Sequence, residues 1–238
     1  MKNRRIVWFL AVMVLLPGCA FFRANPLEEK LGAVVMVLDT RTAGDMKALR
    51  KMLAANDARA TVFAAGRIQR GMACQLMDLR SEGHEFGLSG LKGIDPQAYS
   101  SMYGRQKYFQ DEIVTQVLDA EREGLSPRYY LLRYPSKIKA ETLALPSFLV
   151  SKGFLRVVAQ MPDYVSPRPV EASELAKPVL HAYLLTEKNF SRAQIATLAK
   201  RNQVLVVMPN GKVLPDFLAA VRELGVPFAT LADLKGVE

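Results

Sequence analysis

Histidine is scarce in this 238-residue chain: there are two, His84 and His181. Zinc and other borderline transition metals are held by histidine, cysteine and carboxylate ligands in fixed geometry, so a chain this poor in histidine can build few such sites. Cysteine is equally rare, with only Cys19 and Cys74. Cys74 lies in the helical stretch Met72-Ala73-Cys74-Gln75-Leu76-Met77 and reads as a small buried apolar residue, with no nucleophile signature around it. Long Lys/Arg runs, aromatic-basic stripes and nucleic-acid motifs are missing, which sets nucleic acid aside as a partner. No internal repeat or low-complexity tract is visible.

What is present is ordinary globular material, 50% hydrophobic and 23% charged, and long enough for one large core. The first residues differ from the rest. Lys2, Arg4 and Arg5 precede an apolar run, Ile6 to Leu16, that is short for a membrane span and has the layout of an export signal. It ends in Leu16-Pro17-Gly18-Cys19, which resembles the lipobox of bacterial lipoproteins. That resemblance implies cleavage before Cys19, a lipid such as palmitate on Cys19, and a membrane anchor at the periplasmic face of the envelope. Ala20 and Phe21 lack the aspartate of inner-membrane retention, which points to the outer membrane. An uncleaved signal anchor or an ordinary secretory signal is the alternative. The expected organisation is a signal over 1–18, a lipidated tether over 19–31 and one domain over 32–238. Cleavage removes three basic residues and lowers the formal charge from +9 to +6. A mildly basic surface suits an anionic membrane face or an acidic glycan, and charges this scattered suit a solvated surface equally well.

Beyond the tether, apolar β-rich runs alternate with amphipathic stretches, the pattern of an α/β fold with a mainly parallel sheet. Strands are expected at Ala33–Leu38, Ala60–Ala64, Glu85–Leu88, Tyr129–Leu132, Leu155–Ala159, Val179–Leu184, Val204–Met208 and Pro227–Thr230. Eight short strands with helices between them predict a barrel more than an open sheet. Helices follow from three-and-four spacing around Met46 to Leu53, Ile113 to Leu118, Leu143 to Val150, Ile195 to Leu198 and Phe217 to Leu224, the last closed by Gly225 with Pro227 beyond it. The proline-bearing stretch Met161 to Lys177 has no clean period and reads as a surface loop over one end of the barrel.

Several segments, taken in order, resemble the polysaccharide deacetylase superfamily, the NodB-like homology domain. Val34-Val35-Met36-Val37-Leu38-Asp39-Thr40 stands where that family has Thr-Phe-Asp-Asp-Gly. Arg59-Ala60-Thr61-Val62-Phe63-Ala64-Ala65-Gly66 is similar to its Ala-Thr-Phe-Phe strand. Glu82-Gly83-His84-Glu85-Phe86-Gly87-Leu88-Ser89-Gly90 follows Gly-His-Glu-Ile-Gly-Asn-His-Thr, and Leu132-Arg133-Tyr134-Pro135-Ser136 resembles Arg-Pro-Pro-Tyr. The resemblance implies a distorted (β/α) barrel whose active site gathers at the strand C-termini and whose members remove acetyl groups from polysaccharides or peptidoglycan with a metal. It also implies roles: Asp39 in the general-base place, Arg133 orienting it, and His84 as a hydrogen-bonded turn residue. The metal-ligand places hold Thr40, Ser89 and Gly93, of which serine is a poor ligand and glycine has no side chain. Ser136 stands in the place of the tyrosine that helps with the oxyanion. Val204-Leu205-Val206-Val207-Met208-Pro209 resembles the strand ending in His-Pro of a divergent periplasmic branch of the family, with Met208 in the place of the histidine. His181, in Pro178-Val179-Leu180-His181-Ala182-Tyr183, matches the other common Leu-His ending only if an extra element follows it.

Two functional readings follow. In the first the domain is not an enzyme: it keeps the barrel and its cleft, has neither metal nor cofactor, and binds or scaffolds an envelope polysaccharide or peptidoglycan. Polar and aromatic contacts along the cleft, such as those available from Tyr103, Tyr134 and Tyr164, would serve that binding, and no protein partner is indicated. In the second, an active deacetylase uses Asp39 as base, Arg133 to orient it and His181 as acid.

Overall fold

The computed structural model describes residues 32–99, 101–133, 144–201 and 203–234. The eight expected strands are all there: β1 Ala33–Asp39, β2 Thr61–Ala64, β3 Glu85–Leu88, β4 Tyr129–Leu132, β5 Arg156–Met161, β6 Val179–Leu185, β7 Val204–Pro209 and β8 Phe228–Ala229. Strands β1 to β7 pair in sequence order and in parallel, and β7 returns to β1 (Val35 opposite Val206), which closes a seven-stranded barrel. The short β8 pairs with β1 at Val34 and Val35, while β2 pairs with β1 further along, at Val37 to Asp39. The final strand is therefore a wedge at the N-terminal end of the β1–β2 seam, and it distorts the barrel.

Every residue of β1, β2, β4 and β7 is buried. Such strands, covered on both faces, read as unbroken apolar runs. Alternation sorts their side chains. Val35, Val37, Leu131, Val158 and Val206 fill the barrel interior, and Val34, Met36, Leu38, Val157 and Val207 face the helices. The outer layer contains α1 Thr40–Ala43, α2 Met46–Ala55, α3 Arg70–Ser81, α4 Met102–Tyr108, α5 Thr115–Arg122, α6 Ala144–Val150, α7 Ala172–Leu175, α8 Arg192–Arg201 and α9 Leu214–Glu223. A π-helical turn, Phe109–Val114, joins α4 to α5. Leu49, Leu53, Leu76 and Leu79 are buried almost completely against the barrel, each contributing about 1.5–3 kcal/mol relative to exposure. Gly225 ends α9 with φ 65°, as its place after Leu224 requires.

Two expectations need correction. Cys74 is exposed, not buried, because the stripe that α3 turns inward is Ala73, Leu76 and Leu79. The stretch from Met161 to Lys177 does lie over one end, the foot of the barrel, but it holds the short α7 where only loop was expected: Val170 and Leu175 pack into the interior, and Val170 N–H donates to the Val204 carbonyl (2.7 Å). There the interior is closed by Arg156, whose guanidinium donates to the carbonyls of Leu175 (2.8 Å) and Leu234 (3.0 Å).

Candidate functional site

The alternation that turns Val35 and Val37 inward carries Asp39 into the C-terminal mouth of the barrel, where it is fully buried. Its Oδ1 caps α1 by accepting from Arg41 N–H at 2.8 Å. Its Oδ2 has no hydrogen-bond partner among the described residues and lies between two guanidiniums, 3.3 Å from Arg133 Nη1 and 3.7 Å from Arg41 Nη1. Arg133 follows β4 and is steadied by Gln160 of β5, which accepts from its Nε at 3.3 Å. The expected proximity of Asp39 and Arg133, 94 positions apart in sequence, therefore holds.

The three positions matched to metal ligands have taken other work. Thr40 Oγ1 accepts from Ala65 N–H (3.0 Å), and Ser89 Oγ donates to the Ala64 carbonyl (3.2 Å). Gly93, with φ 73°, leaves a space that the Arg41 guanidinium takes: a Cβ at Gly93 would sit 3.1 Å from Arg41 Cζ. Arg41 is fixed there by donating from Nη1 to the Ser89 carbonyl (2.9 Å) and from Nη2 to the Gly90 carbonyl (2.7 Å). One guanidinium thus spans Asp39, Ser89 and Gly93. A divalent metal does not fit this donor set. A doubly charged ion about 4 Å from that guanidinium would be repelled by roughly 8 kcal/mol at an effective dielectric constant of about 20. Among the described residues no three His, Cys, Asp or Glu side chains cluster to offset that repulsion.

The loop beneath Arg41 is held from behind. Glu112 of the π-helical turn is fully buried and accepts from Lys92 N–H (2.9 Å) and Gly93 N–H (2.8 Å). Gln116, four positions on, accepts from Gly90 N–H (3.0 Å) and donates to the carbonyls of Ala64 (2.9 Å) and Gly66 (2.8 Å). Gly90 has φ 90°, and a Cβ there would meet Glu112 Oε2 at 2.8 Å and the Tyr130 hydroxyl at 2.9 Å. Burial, then the neighbouring Tyr108, push the Tyr130 phenol well above its usual pKa, so it stays protonated. Over this floor opens a cavity of about 250 Å³ lined by Arg41, Ser89, Lys92, Tyr108, Arg133 and Gln160, among others.

Solved structures that share this architecture include polysaccharide deacetylases. A putative polysaccharide deacetylase from Mycobacterium smegmatis superposes with a TM-score of 0.55 at 15% identity, over 86% of this chain and 89% of that one. A CE4 esterase from Streptococcus mutans gives 0.51 at 18%, over 87% and 88%. The Bc1960 peptidoglycan N-acetylglucosamine deacetylase gives 0.51 at 16%, over 85% and 87%. The fold is the polysaccharide-deacetylase barrel. No protein-family model and no curated protein sequence matches the chain.

Within this deacetylase barrel, His181 stands apart from the pair it was expected to join. Leu180 and Ala182 face the interior, so His181 is on the outer side of β6, where it is exposed beside Arg168 and Glu174. The registers place it level with Leu205 and Val34, five positions before Asp39, or roughly 16 Å along the strands. His84 is the structural residue the resemblance implies: buried at the foot of β3, its Nδ1 accepts from Ala60 N–H at 3.2 Å. Burial lowers its pKa, with Glu82 opposing and Arg59 and Arg50 adding to the shift. Met208 is buried at the inner end of β7. Tyr103 and Tyr164 are exposed, whereas Tyr134, Pro135, Ser136 and Cys19 lie outside the described residues. Arg41 escaped the sequence reading, although the signal was there: it takes the place of the glycine in Asp-Asp-Gly.

Proposed function

We propose that this chain is a catalytically silent deacetylase barrel that binds or scaffolds a glycan of the bacterial envelope, held at the periplasmic face of the outer membrane by a lipid on Cys19. The observation that carries the reading is the Arg41 guanidinium, hydrogen-bonded to the Ser89 and Gly90 carbonyls among the positions matched to metal ligands. A fixed cation there occupies both the space and the charge balance a metal would need. Activation of water by a metal, which lowers its pKa from about 16 to about 7, is then not available to Asp39. Asp39 and Arg133 become an ion pair that braces the mouth of the barrel, with Gln160 behind Arg133. The glycan is inferred from the fold's relatives, one of which is described as a peptidoglycan N-acetylglucosamine deacetylase. The alternative, an active deacetylase with Asp39 as base, has no observation in its favour beyond the retained pair.

The test is acetate release by the full-length protein from acetylated chitooligosaccharides and peptidoglycan fragments, with zinc or cobalt added. Rates equal to those of an Asp39→Asn variant are expected. Metal-stimulated turnover that this variant abolishes would overturn the reading.

A further inference from the structure

We propose that the mouth cavity takes an acidic sugar, of the uronic-acid class, with its carboxylate bridging Arg41 and Arg133. This deepens the glycan-binding reading and rests on it. The lining has a surplus of donors. A guanidinium carries five N–H groups; Arg41 uses two of them on the Ser89 and Gly90 carbonyls, and Arg133 directs its Nε to Gln160 and its Nη1 towards Asp39. Lys92, exposed on the rim, adds an ammonium with no ion-pair partner among the described residues.

Two carboxylates stand behind the lining. Asp39 and Glu112 are both fully buried; Asp39 turns Oδ1 to Arg41 N–H, and Glu112 turns its oxygens to Lys92 N–H and Gly93 N–H. The lining itself therefore carries three cations, Arg41, Lys92 and Arg133, and no carboxylate among the described residues. The two guanidiniums are also spaced for a carboxylate: one oxygen of Asp39 lies within 4 Å of both, at 3.3 Å and 3.7 Å. A second carboxylate arriving from the cavity side meets the same fork from the front, the geometry in which arginine recognises planar anions. A volume of about 250 Å³ is below the roughly 300–1,000 Å³ of drug-sized ligand sites, so the cavity suits one sugar unit and leaves the rest of the chain outside.

The experiment is calorimetric titration of the full-length protein at low salt with trigalacturonate, its methyl ester, chitotriose and inorganic sulfate. Trigalacturonate should bind, with the ester about tenfold or more weaker; Arg41→Gln should weaken the acid by roughly 10–100-fold and Lys92→Gln, on the exposed rim, by about two- to fivefold, each narrowing the preference for acid over ester. Lys92→Gln alters an exposed side chain, so it reads the charge even if Arg41→Gln disturbs the loop. Equal binding of acid, ester and chitotriose would overturn the acidic preference while leaving a neutral-glycan site standing. Sulfate binding as tight as the trimer would reduce the site to a small-anion sink and overturn the sugar assignment, as would a failure of every sugar to bind. Metal-stimulated acetate release is a separate result and would remove the reading underneath.

Discussion

The guanidinium of Arg41 lies against Gly93, 3.1 Å from where a Cβ would be, and the two residues exclude a metal jointly: one supplies the cation, the other the room for it. Restoring ligands alone should therefore fail. A Thr40→Asp, Ser89→His, Gly93→His chain that keeps Arg41 should bind no stoichiometric zinc, since the new imidazole collides with the guanidinium. Adding Arg41→Gly should produce a site that retains about one zinc per chain after dialysis, read by metal analysis. Zinc retention with Arg41 in place would show that the arginine is not the obstacle.

Asp39 and Arg133 make the second expectation. Asp39→Asn keeps an acceptor for the α1 cap but removes the charge that two guanidiniums share. A loss of about 2 kcal/mol in denaturant unfolding is expected. Arg133→Gln should cost less, because the Arg133 side chain is one-third exposed and Arg41 still faces Asp39. If the two changes add without coupling, the pair is not an interaction.

The strand order was legible because parallel barrel strands are buried on both faces, so runs such as Val34 to Leu38 stand out from their surroundings. The strand at β8 was expected too, but not its place as a wedge, since nothing in so short a run says that it pairs with β1 alone. At the site, Asp39 and Arg133 were found through the resemblance of their segments to Thr-Phe-Asp-Asp-Gly and Arg-Pro-Pro-Tyr, which puts each at a strand end. Glu112 and Gln116 were missed because polar residues four apart on a helix look like a solvent face; only the loop they hold, Ser89 to Gly93, turns them inward. His181 misled for the reason that a strand's two sides are indistinguishable until the register is known.

Gly87 tests the packing of the interior. A methyl there would sit 2.5 Å from the Phe63 ring and 2.6 Å from the Tyr129 carbonyl, and a backbone oxygen in a barrel strand cannot retreat. Gly87→Ala should destabilise by about 3 kcal/mol, the upper end of overpacking costs. Gly71, near the start of α3 with nothing within 4 Å of its Cβ position, is the control. Gly71→Ala should stabilise by roughly 0.5–1 kcal/mol. Equal effects at the two sites would contradict the packing described.

His84 sets a pH dependence. Burial holds its folded pKa below the ordinary 6.5, so the unfolded chain takes up the proton first as pH falls. Its contribution is complete above about 6.5 and is lost below, levelling off once the folded pKa is passed. The unfolding midpoint should therefore drop between pH 7 and pH 5, and His84→Gln, which offers an uncharged acceptor to Ala60 N–H, should flatten that drop. An identical slope in the variant would assign the pH dependence to other groups.

The anchor is tested without reference to the barrel. A basic start, an apolar core from Ile6 to Leu16 and the Leu16-Pro17-Gly18-Cys19 order motivate lipidation of Cys19. Cys74 is the only other thiol and lies exposed on α3, so it serves as an internal comparison for thiol labelling. With radiolabelled palmitate the wild type should carry label in the outer-membrane fraction, and Cys19→Ala should carry none and shift to the soluble or inner-membrane fraction, while Cys74→Ala behaves as wild type. A single myristoyl-length chain binds membranes only marginally, so stable fractionation demands the multiple acyl chains of a processed lipoprotein. Membrane retention of Cys19→Ala at unchanged mobility would instead identify residues 6–16 as an uncleaved anchor, and the tether would then begin before Cys19.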